Sequence, residues 1–266
     1  MQAALLEHRG VVRITGEDAA DWLQGLITND IARADGENAC FAAFLSPQGK
    51  ILFDFLIHRR GDLFLLDCAA GQAAALAKRL AMYRLRAKVQ VELETGAAVL
   101  ALWDTASRPH PQALRDPRDP LLGWRLAGEA AALAELFPER VPATDYDAHR
   151  IAAGVPEGGT DFAWGDIFPH DANMDEMNGV DFKKGCYVGQ EVVSRVQHRG
   201  SARKRFRKLH FGGETPAPGT EIMAGETSIG SVTSVCGFRG LGLIRIDRAA
   251  EGGDFMAGGA IVGIAL

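Results

Sequence analysis

Between residues 41 and 68 the chain reads FAAFLSPQGKILFDFLIHRRGDLFLLDC, and this stretch limits the possible fold more than any other. Three apolar runs, rich in Phe, Leu and Ile, are separated by two short turn sequences, SPQG and RRGD. Apolar runs of strand length with Gly- or Pro-containing turns between them are typical of neighbouring antiparallel strands. We therefore predict an antiparallel meander of three strands.

The flanking segments show helical and extended patterns. Apolar residues recur at helical spacing after acidic residues over 16–30, and an alanine-rich amphipathic pattern follows over 71–86, so each range predicts a helix. Two further helices are predicted over 144–154 and 189–199. The runs KVQVEL, AAVLALW and LGWRLAG predict strands.

The character of the chain changes near residue 205. From residue 206 onward, short apolar runs alternate with GGETPAPG, AGETSIG, GFRGLG and EGGD, a pattern typical of a small all-β barrel or sandwich. We place a domain boundary here, which gives domains 1–204 and 205–266. The glycine- and acid-rich stretch over 155–182 has little periodicity, and a loop of that length in a compact domain is usually functional or wraps a site.

Composition and charge exclude several classes of protein. A chain of 266 residues that is 47% hydrophobic can bury a sizeable core, and its net charge of -5 argues against direct nucleic-acid binding as a main activity. The basic run RVQHRGSARKRFRK over 195–208 is a local exception, and it favours either a solvated face or contact with an anionic group. No apolar run is long enough to span a membrane, and early charged residues argue against a signal peptide, so we expect a cytoplasmic location.

The stretch KKGCYVGQEVVSR holds a thiol between two lysines and a predicted helix. Lys183, Lys184 and the helix dipole would favour the thiolate form of Cys186, which would then act as a nucleophile, bind a metal shared with a partner, or accept sulfur. The alternative is a buried cysteine in a tight turn. The cysteines are widely spaced and form no C-x-x-C pair, so we expect no self-contained metal site: they are Cys40, Cys68, Cys186 and Cys236.

The same stretch resembles the signature of the YgfZ-type folate-binding proteins, which are relatives of the aminomethyltransferase (T-protein) of the glycine cleavage system. All fixed positions of that signature are matched, by Lys184, Gly185, Cys186, Tyr187, Gly189, Gln190 and Glu191. Other stretches are similar to the family as well, so the resemblance covers nearly the whole chain: WLQGLITNDI, SPQGKILFDFLI, HRIAAGVPEGGTDF, FPHDANMD and GSVTSVCGFRGLGLIRID.

The resemblance implies an α+β fold of the glycine cleavage T-protein type. Its subdomains, which include ferredoxin-like antiparallel α+β parts, form a ring around a central hole, and an all-β barrel lies at the C-terminus. Residues 1–204 would then be a folate-binding domain of two intertwined α+β subdomains. The hole would take tetrahydrofolate, with or without a polyglutamate tail.

The resemblance also implies a function: assembly or repair of iron–sulfur proteins, mainly those with [4Fe–4S] clusters. The partners would be iron–sulfur assembly proteins or client enzymes, among them enzymes that modify tRNA. The alternative is a folate-dependent one-carbon transferase or demethylase, and whether the chain is an enzyme stays open. Two departures count against that alternative, since Ala152 and Cys186 stand where the transferase pattern has glutamate and aspartate.

Asp54 is the first candidate for the folate site. Strand alternation puts it on one face with Leu52 and Leu56, where a carboxylate needs a partner. It matches an aspartate of the transferase and would hold a folate nitrogen or the one-carbon unit; the alternative is a surface residue paired with Lys50 or an arginine.

For the remaining candidates, we weigh a ligand-binding role against a structural one. Tyr146 and Tyr187 would stack on the pterin or aminobenzoate ring, or pack in the core. Gln190 would bind a heterocycle or cap the turn, and Glu191 and Arg195 would form an i,i+4 ion pair on a helix. The resemblance adds Arg150 and Lys184 by their motif positions. The predicted site therefore comprises Cys186 as the reactive residue, no metal ligand, and a cofactor set of Asp54, Tyr146, Arg150, Lys184, Tyr187, Gln190, Glu191 and Arg195.

Overall fold

The structure is a computed structural model that describes residues 1–200 and 202–265. Strands β1 to β9 cover Gln2–Leu5, Arg9–Thr15, Cys40–Leu45, Ile51–Arg60, Leu63–Ala69, Gln90–Leu93, Ala97–Trp103, Leu114–Arg115 and Trp124–Glu129. Strands β10 to β15 cover Lys204–Gly212, Glu221–Ala224, Thr227–Cys236, Arg239–Arg245, Phe255–Ala257 and Ala260–Ile264. Helices α1 to α6 cover Ala19–Gln24, Ala70–Met82, Ala130–Leu136, Ala143–Ala153, Gln190–Arg199 and Ile246–Ala249, and 3₁₀ turns cover Ile31–Arg33 and Pro120–Leu122.

The predicted meander is confirmed, because β3, β4 and β5 are consecutive antiparallel neighbours in a five-stranded sheet of order β3-β4-β5-β2-β6. Both faces of β4 are buried: Leu56 lies in one apolar cluster and Phe53 and Phe55 lie in another. One detail of the predicted alternation is wrong. A register shift after Phe44 leaves Leu52 without a partner in β3, and Leu52 packs with Phe53 instead of sharing a face with Asp54.

The other predicted strands are confirmed as β6, β7 and β9. A second antiparallel sheet has the order β1-β7-β9-β8, so the N-terminal strand joins a sheet whose other members come from the middle of the chain. The two sheets share one apolar cluster, which includes Val11 from the first sheet and Val99 and Ala127 from the second. Residues 1–129 therefore form two interlocked sheets rather than two units in succession.

The C-terminal strands form a closed barrel of order β10-β13-β12-β11-β14-β15, which resolves the choice between barrel and sandwich. The barrel is tightly filled, with Leu209, Ile222 and Val232 in its interior. Gly242 is required by this packing, since a Cβ there would lie 2.8 Å from both Leu209 Cδ1 and the Ser231 carbonyl oxygen.

Of the four predicted helices, the last two are confirmed as α4 and α5, and the second is confirmed as α2 but ends at Met82 rather than at residue 86. The short helices α3 and α6 were not predicted, and the first predicted helix is too long. α1 ends at Gln24 instead of continuing to residue 30, because the following residues bind the edge of β3: the Thr28 amide donates to the Ala43 carbonyl at 3.0 Å, and the Ala43 amide donates to Thr28 Oγ1 at 2.9 Å. No helix in the described residues is both long and apolar enough to cross a membrane.

The long stretch over 155–188 contains no helix or strand, as its sequence pattern predicts. It is nevertheless well packed, because Ile167, Met174 and Met177 are buried in the cluster shared by the two sheets. It is also tied to the barrel, since Asn173 Nδ2 donates to the Phe206 carbonyl at 2.9 Å. The stretch thus runs between the sheets and the barrel and leads directly into the cysteine motif.

Candidate functional site

The turn that precedes α5 holds Cys186 at the protein surface. Gly189 ends this turn with a φ of 81°, and a Cβ at this position would lie 2.5 Å from the carbonyl oxygen of Ser46. Only glycine combines that backbone conformation with so close an approach. The turn is therefore pressed against the SPQG hairpin between β3 and β4, which gives Cys186 a defined position.

Gln190 closes the turn from the helix side. Its Oε1 accepts the Tyr187 amide hydrogen at 2.9 Å, and its Nε2 lies 3.6 Å from Cys186 Sγ. Of the two predicted roles for Gln190, the structure shows the turn-capping contact. The same amide group also supplies a weak hydrogen-bond donor to the thiol sulfur.

Lys184 lies beneath this turn and does not extend into solvent. Its Nζ donates to three backbone carbonyl oxygens at and after the end of α1, at 2.7 Å to Gln24, 2.7 Å to Ile27 and 2.8 Å to Asn29. Burial lowers the pKa of Lys184 to about 8. All three ammonium hydrogens have acceptors, so the contacts of Lys184 are those of a brace between the cysteine turn and the first sheet.

The other predicted residues of the motif differ in exposure. Glu191 and Arg195 are exposed on α5, and within the described residues neither forms an ion pair, so the predicted i,i+4 pair is wrong; exposed charges gain little from pairing in water. Tyr187 is half-buried, with its ring centroid 5.2 Å from Lys184 Nζ, and burial raises its pKa to about 12.

The remaining cysteines show why Cys186 stands out. Cys40 and Cys68 are buried, and burial raises the pKa of each thiol to about 12, so both are packing residues. Cys236 is exposed, but it lies at the end of β12 in the barrel. Cys186 is the exposed thiol that belongs to the motif.

Asp54 lies in the centre of β4 and is 7% exposed. Its Oδ1 accepts one long hydrogen bond, 3.4 Å from Trp164 Nε1, and a Cβ at Gly158 would lie only 2.7 Å from the same oxygen. Burial raises the pKa of Asp54, while the charge of Arg9 partly opposes that shift. Asp54 is therefore a buried carboxylate with only one long hydrogen bond from the protein, not a surface residue paired with Lys50.

Arg150 belongs to a network of buried charges beside Asp54. Its guanidinium donates to Asp161 at 2.7 Å and lies 3.5 Å from Glu157, while Glu157 also accepts from Arg9 at 3.1 Å. Burial would raise the pKa of Glu157, but a hydrogen bond from His8 and the charges of Arg9 and Arg150 lower it. Arg150 is thus held in place by protein acceptors, mainly carboxylates.

Tyr146 is buried in a second part of this network. Its hydroxyl accepts from Arg125 at 2.6 Å and from Arg118 at 3.4 Å, and both arginines are held by Asp116. Burial raises the pKa of Tyr146, and its ring is fully covered. Its contacts are those of a core aromatic residue.

The predicted residues therefore fall into two groups. One group lies at the turn before α5 and comprises Cys186, Lys184, Tyr187 and Gln190. In the other group, Glu157 lies between Asp54 and Arg150: it pairs with Arg150, and its charge acts on Asp54. Sequence reasoning missed the residues that surround the second group, which are Arg9, Asp67, Asp116, Arg118, Arg125, Glu157, Asp161 and Trp164. The sequence feature that could have revealed them is a charged residue in an otherwise apolar strand, such as Asp67 in LFLLDC and Arg125 in GWRLAG.

The surroundings of Asp54 bear on tetrahydrofolate, which the resemblance to the T-protein implies as a ligand. A cavity of about 250 Å³ is lined by His8, Glu157, Gly158 and Trp164, next to the carboxylate that Trp164 contacts. A buried acceptor beside an indole surface suits a polar heterocycle, and Gly158 allows the two side chains to approach this closely, since a Cβ there would lie 2.7 Å from Asp54 Oδ1 and 3.0 Å from Trp164 Nε1. The residues present fit a folate ring system.

Over 1–200 and 202–265, no three side chains of His, Cys, Asp or Glu are arranged to hold a metal ion.

Comparison with solved structures shows the fold. The aminomethyltransferase of the glycine cleavage system from Bartonella henselae superimposes with a TM-score of 0.82 at 19% identity, covering 100% of this chain and 85% of that one. Residues 203–265 match the family described as the CAF17 C-terminal beta-barrel domain. The predicted glycine cleavage T-protein-like α+β fold with a C-terminal barrel is confirmed.

Comparison with curated proteins shows the family. The mitochondrial iron–sulfur cluster assembly factor IBA57 of Homo sapiens is 34% identical over 270 residues, which cover 90% of this chain and 76% of that protein. The homologue of Mycosarcoma maydis is 37% identical over 228 residues, which cover 78% of this chain, and the chain spans only 57% of the length of that relative.

These relatives correct one expectation and confirm another in part. A cytoplasmic location is wrong as an expectation for this family, because the relatives are named as mitochondrial proteins. The resemblance to the T-protein is confirmed at the level of the fold, while the YgfZ type and folate binding stay predictions. The chain belongs to the family of the IBA57 iron–sulfur cluster assembly factors.

Proposed function

We propose that this protein is a tetrahydrofolate-binding factor for the assembly or repair of iron–sulfur proteins, mainly those with [4Fe–4S] clusters, and that Cys186 is its reactive thiol. The observation that carries the proposal is the exposure of Cys186 on a turn fixed by Gly189 and Gln190, in a chain whose relatives are named iron–sulfur cluster assembly factors. The partners would be iron–sulfur assembly proteins or client enzymes, including cluster-dependent enzymes that modify tRNA.

Thiolate sulfur is the preferred protein ligand of iron–sulfur clusters. Cys186 lies within 3.6 Å of the Gln190 amide, and hydrogen bonds to sulfur tune the properties of such a ligand. Since no further ligands lie beside Cys186 in the described residues, a cluster bound there would need the thiols of a partner. We therefore infer that Cys186 acts on the cluster as cargo, together with a partner protein.

For tetrahydrofolate, Asp54 would accept a hydrogen bond from a ring nitrogen and Trp164 would stack against the ring. Gly158 allows Trp164 to lie this close to Asp54, since a Cβ there would meet both side chains. Arg195, exposed on α5, would attract the carboxylates of a glutamate tail. Bound tetrahydrofolate would supply a reduced pterin able to carry a one-carbon unit.

The role of Cys186 is tested by replacing it in a host that lacks its own homologue. Cys186→Ser should abolish the activity of a [4Fe–4S] client enzyme, whereas Cys236→Ser, which removes the other exposed thiol, should leave it unchanged. Full client activity with Cys186→Ser would show that the thiol is not needed.

Folate binding is tested separately by calorimetric titration of the whole chain with tetrahydrofolate. Asp54→Asn keeps the shape of the side chain but removes its charge, and we expect affinity to fall by about tenfold or more, as for the loss of one charged hydrogen bond. Asp166→Asn, an exposed carboxylate, is the control. Absence of heat from the native chain would remove folate from the proposal and leave the role of Cys186 standing.

A further inference from the structure

The end of α2 and the turn that follows it present two large apolar side chains to solvent. Met82, the last residue of α2, is 64% exposed, and Leu85 is 91% exposed. Among the large apolar residues that the structure describes, none is more exposed than Leu85. A single exposed leucine is ordinary on a protein surface, but here two such side chains lie three residues apart. We call residues 82–88 the α2–β6 tip.

The backbone of the tip is strained at Leu85. Its φ is 43°, in the left-handed region that bulky side chains rarely adopt. The turn is closed around it, because the Ala87 amide donates to the Arg84 carbonyl oxygen at 2.7 Å. Glycine or asparagine would adopt this conformation at lower cost. Leucine therefore costs folding free energy twice, through its backbone and through its exposed side chain, and such strain is found mostly where a function requires it.

The tip is held firmly at both ends. On the helix side, Trp22 Nε1 donates to the Tyr83 carbonyl oxygen at 3.1 Å. On the strand side, the Lys88 amide donates to Asp18 Oδ2 at 2.7 Å. The chain also returns in direct contact with the end of β2, since a Cβ at Gly16 would overlap the Lys88 carbonyl oxygen. The exposure of the tip is therefore a defined feature of the fold.

Positive charge surrounds the two apolar side chains. Over residues 68–91 the chain has no acidic residue and five basic ones, all exposed: Lys78, Arg79, Arg84, Arg86 and Lys88. Lys78 lies one helical turn before Met82, on the same face of α2. The carboxylates beside the tip are Asp18 and Glu17, and Glu17 pairs with Lys88 at 2.8 Å. The other four basic side chains form no ion pair within the described residues.

We propose that the α2–β6 tip binds a lipid surface with anionic headgroups. Met82 and Leu85 insert at the boundary between headgroups and acyl chains, and the surrounding basic side chains meet the headgroup phosphates. The long apolar stems of lysine and arginine lie beside the inserted side chains and keep their charges at the headgroups. The apolar pair favours a lipid surface over a nucleic acid or an acidic protein, because charge alone suffices to bind either of these.

The test is sedimentation of the full chain with vesicles. Vesicles of phosphatidylcholine with about 30% phosphatidylglycerol should bind the chain at least about tenfold more tightly than vesicles of phosphatidylcholine alone, because basic side chains are attracted to an anionic surface. Raising the salt concentration from about 0.1 M to about 0.5 M should weaken this binding, since ions screen the charges. Equal binding to both kinds of vesicle, or binding to neither, would overturn the proposal.

Leu85→Asn tests the apolar contact. Asparagine accepts the left-handed backbone more readily than leucine, so the variant should be at least as stable as the native chain while its affinity for anionic vesicles falls by about tenfold. A purely structural role for Leu85 predicts the opposite, lower stability with unchanged vesicle binding. Leu121→Asn, which removes another exposed leucine, should bind like the native chain. Full vesicle affinity in Leu85→Asn would show attraction between charges alone and would contradict the proposal.

Two double variants test the position of the charges. Replacing Arg84 and Arg86 by glutamine should weaken binding to anionic vesicles by about tenfold or more. Replacing Arg199 and Arg203 by glutamine removes the same charge from exposed positions of the basic run over 195–208 and should leave binding unchanged. Equal losses in the two double variants would place the contact outside the tip and reject the proposal.

Discussion

The side chains of the cysteine motif divide into those that hold the turn and one that is left at the surface. Lys184, Gln190 and Gly189 make the contacts that fix the backbone, whereas the Cys186 thiol has only a weak contact with Gln190. The same separation occurs near Asp54, where Arg150 is held by protein carboxylates and Asp54 is barely satisfied. We assign function to the residues whose hydrogen-bonding or ligand atoms have few partners within the described part of the protein.

Replacing Lys184 should destabilise the fold. Lys184→Met removes three hydrogen bonds to carbonyl oxygens and leaves those acceptors partly buried, so the free energy of unfolding should fall by about 3 kcal/mol. Lys183→Met changes an exposed neighbour and should stay within about 0.5 kcal/mol of the native value. Urea denaturation measures both, and equal effects would show that Lys184 is not a structural brace.

His58 should make the protein sensitive to acid. Burial lowers its pKa from 6.5 to about 4, and neither ring nitrogen has a hydrogen-bond partner within the described residues. The unfolded chain therefore takes up a proton below about pH 6.5 that the folded chain refuses until about pH 4, so stability is lost as the pH falls through this window, by about 3 kcal/mol in total.

The acid sensitivity is tested by urea denaturation across that pH window. His58→Leu should flatten the dependence of the unfolding free energy between pH 6.5 and 4, because leucine does not titrate. His198→Leu, which replaces an exposed histidine, should retain the native slope. An unchanged slope with His58→Leu would assign the acid sensitivity to other groups.

At the scale of elements, α5 and the β3–β4 hairpin act as one unit. The helix begins where Gly189 meets the Ser46 carbonyl, and a Cβ at Gly49 in the hairpin would lie 2.9 Å from Val192 Cβ on the helix. Val193 continues this contact into the apolar core. The position of Cys186 therefore depends on the packing of a helix against a hairpin that is distant in the sequence.

Two glycines of the motif should respond differently to alanine. Gly189→Ala should cost about 3 kcal/mol, because alanine is strained at a φ of 81° and its Cβ would overlap the Ser46 oxygen. Gly185→Ala should stay within about 0.5 kcal/mol, since no atom lies within 4 Å of a Cβ there. Thermal unfolding of both variants checks this contrast, which fails if the two glycines tolerate alanine equally.

At the scale of the whole molecule, buried charges join parts that the sequence keeps far apart. Asp161 is central to this connection: its Oδ2 accepts from Arg150 at 2.7 Å, while its Oδ1 accepts from Thr233 at 2.7 Å and from Ser234 at 2.6 Å in the barrel. One carboxylate thus links α4, the connecting stretch and the barrel. Such bonds are shielded from salt, since they are buried.

Asp161→Ala should separate the barrel from the rest of the molecule. Removing one partner of a buried charge pair costs about 3–5 kcal/mol, and here the lost contacts are those between the two domains that we propose. Scanning calorimetry should show one transition for the native chain and an earlier or split transition for the variant. Asp166→Ala, an exposed carboxylate of the same stretch, should unfold like the native chain.

Local patterns in the sequence were sufficient for the meander, the all-β character of the C-terminal part and most helices, since strand alternation, turn residues and helical spacing act over short distances; the closure of the barrel was decided by the tertiary structure. The motif pointed to Cys186, and a charged residue in an apolar strand pointed to Asp54; both assignments stay predictions. The roles of Lys184, Arg150 and Tyr146 could not be inferred in this way, because their partners lie in distant segments and a charge pattern does not reveal which carboxylate or carbonyl it will meet.

The end of α1 and the cavity beside Trp164 also could not be predicted from local sequence patterns. The 16–30 pattern is helical as far as Gln24, but pairing with β3 outweighs local propensity after it. The cavity beside Trp164 is lined by His8, by residues within 69–72 and by residues within 157–164, which are distant from one another in the sequence. Short-range order follows from the composition and spacing of neighbouring residues, whereas burial, ion pairing and empty space arise only when remote segments pack together.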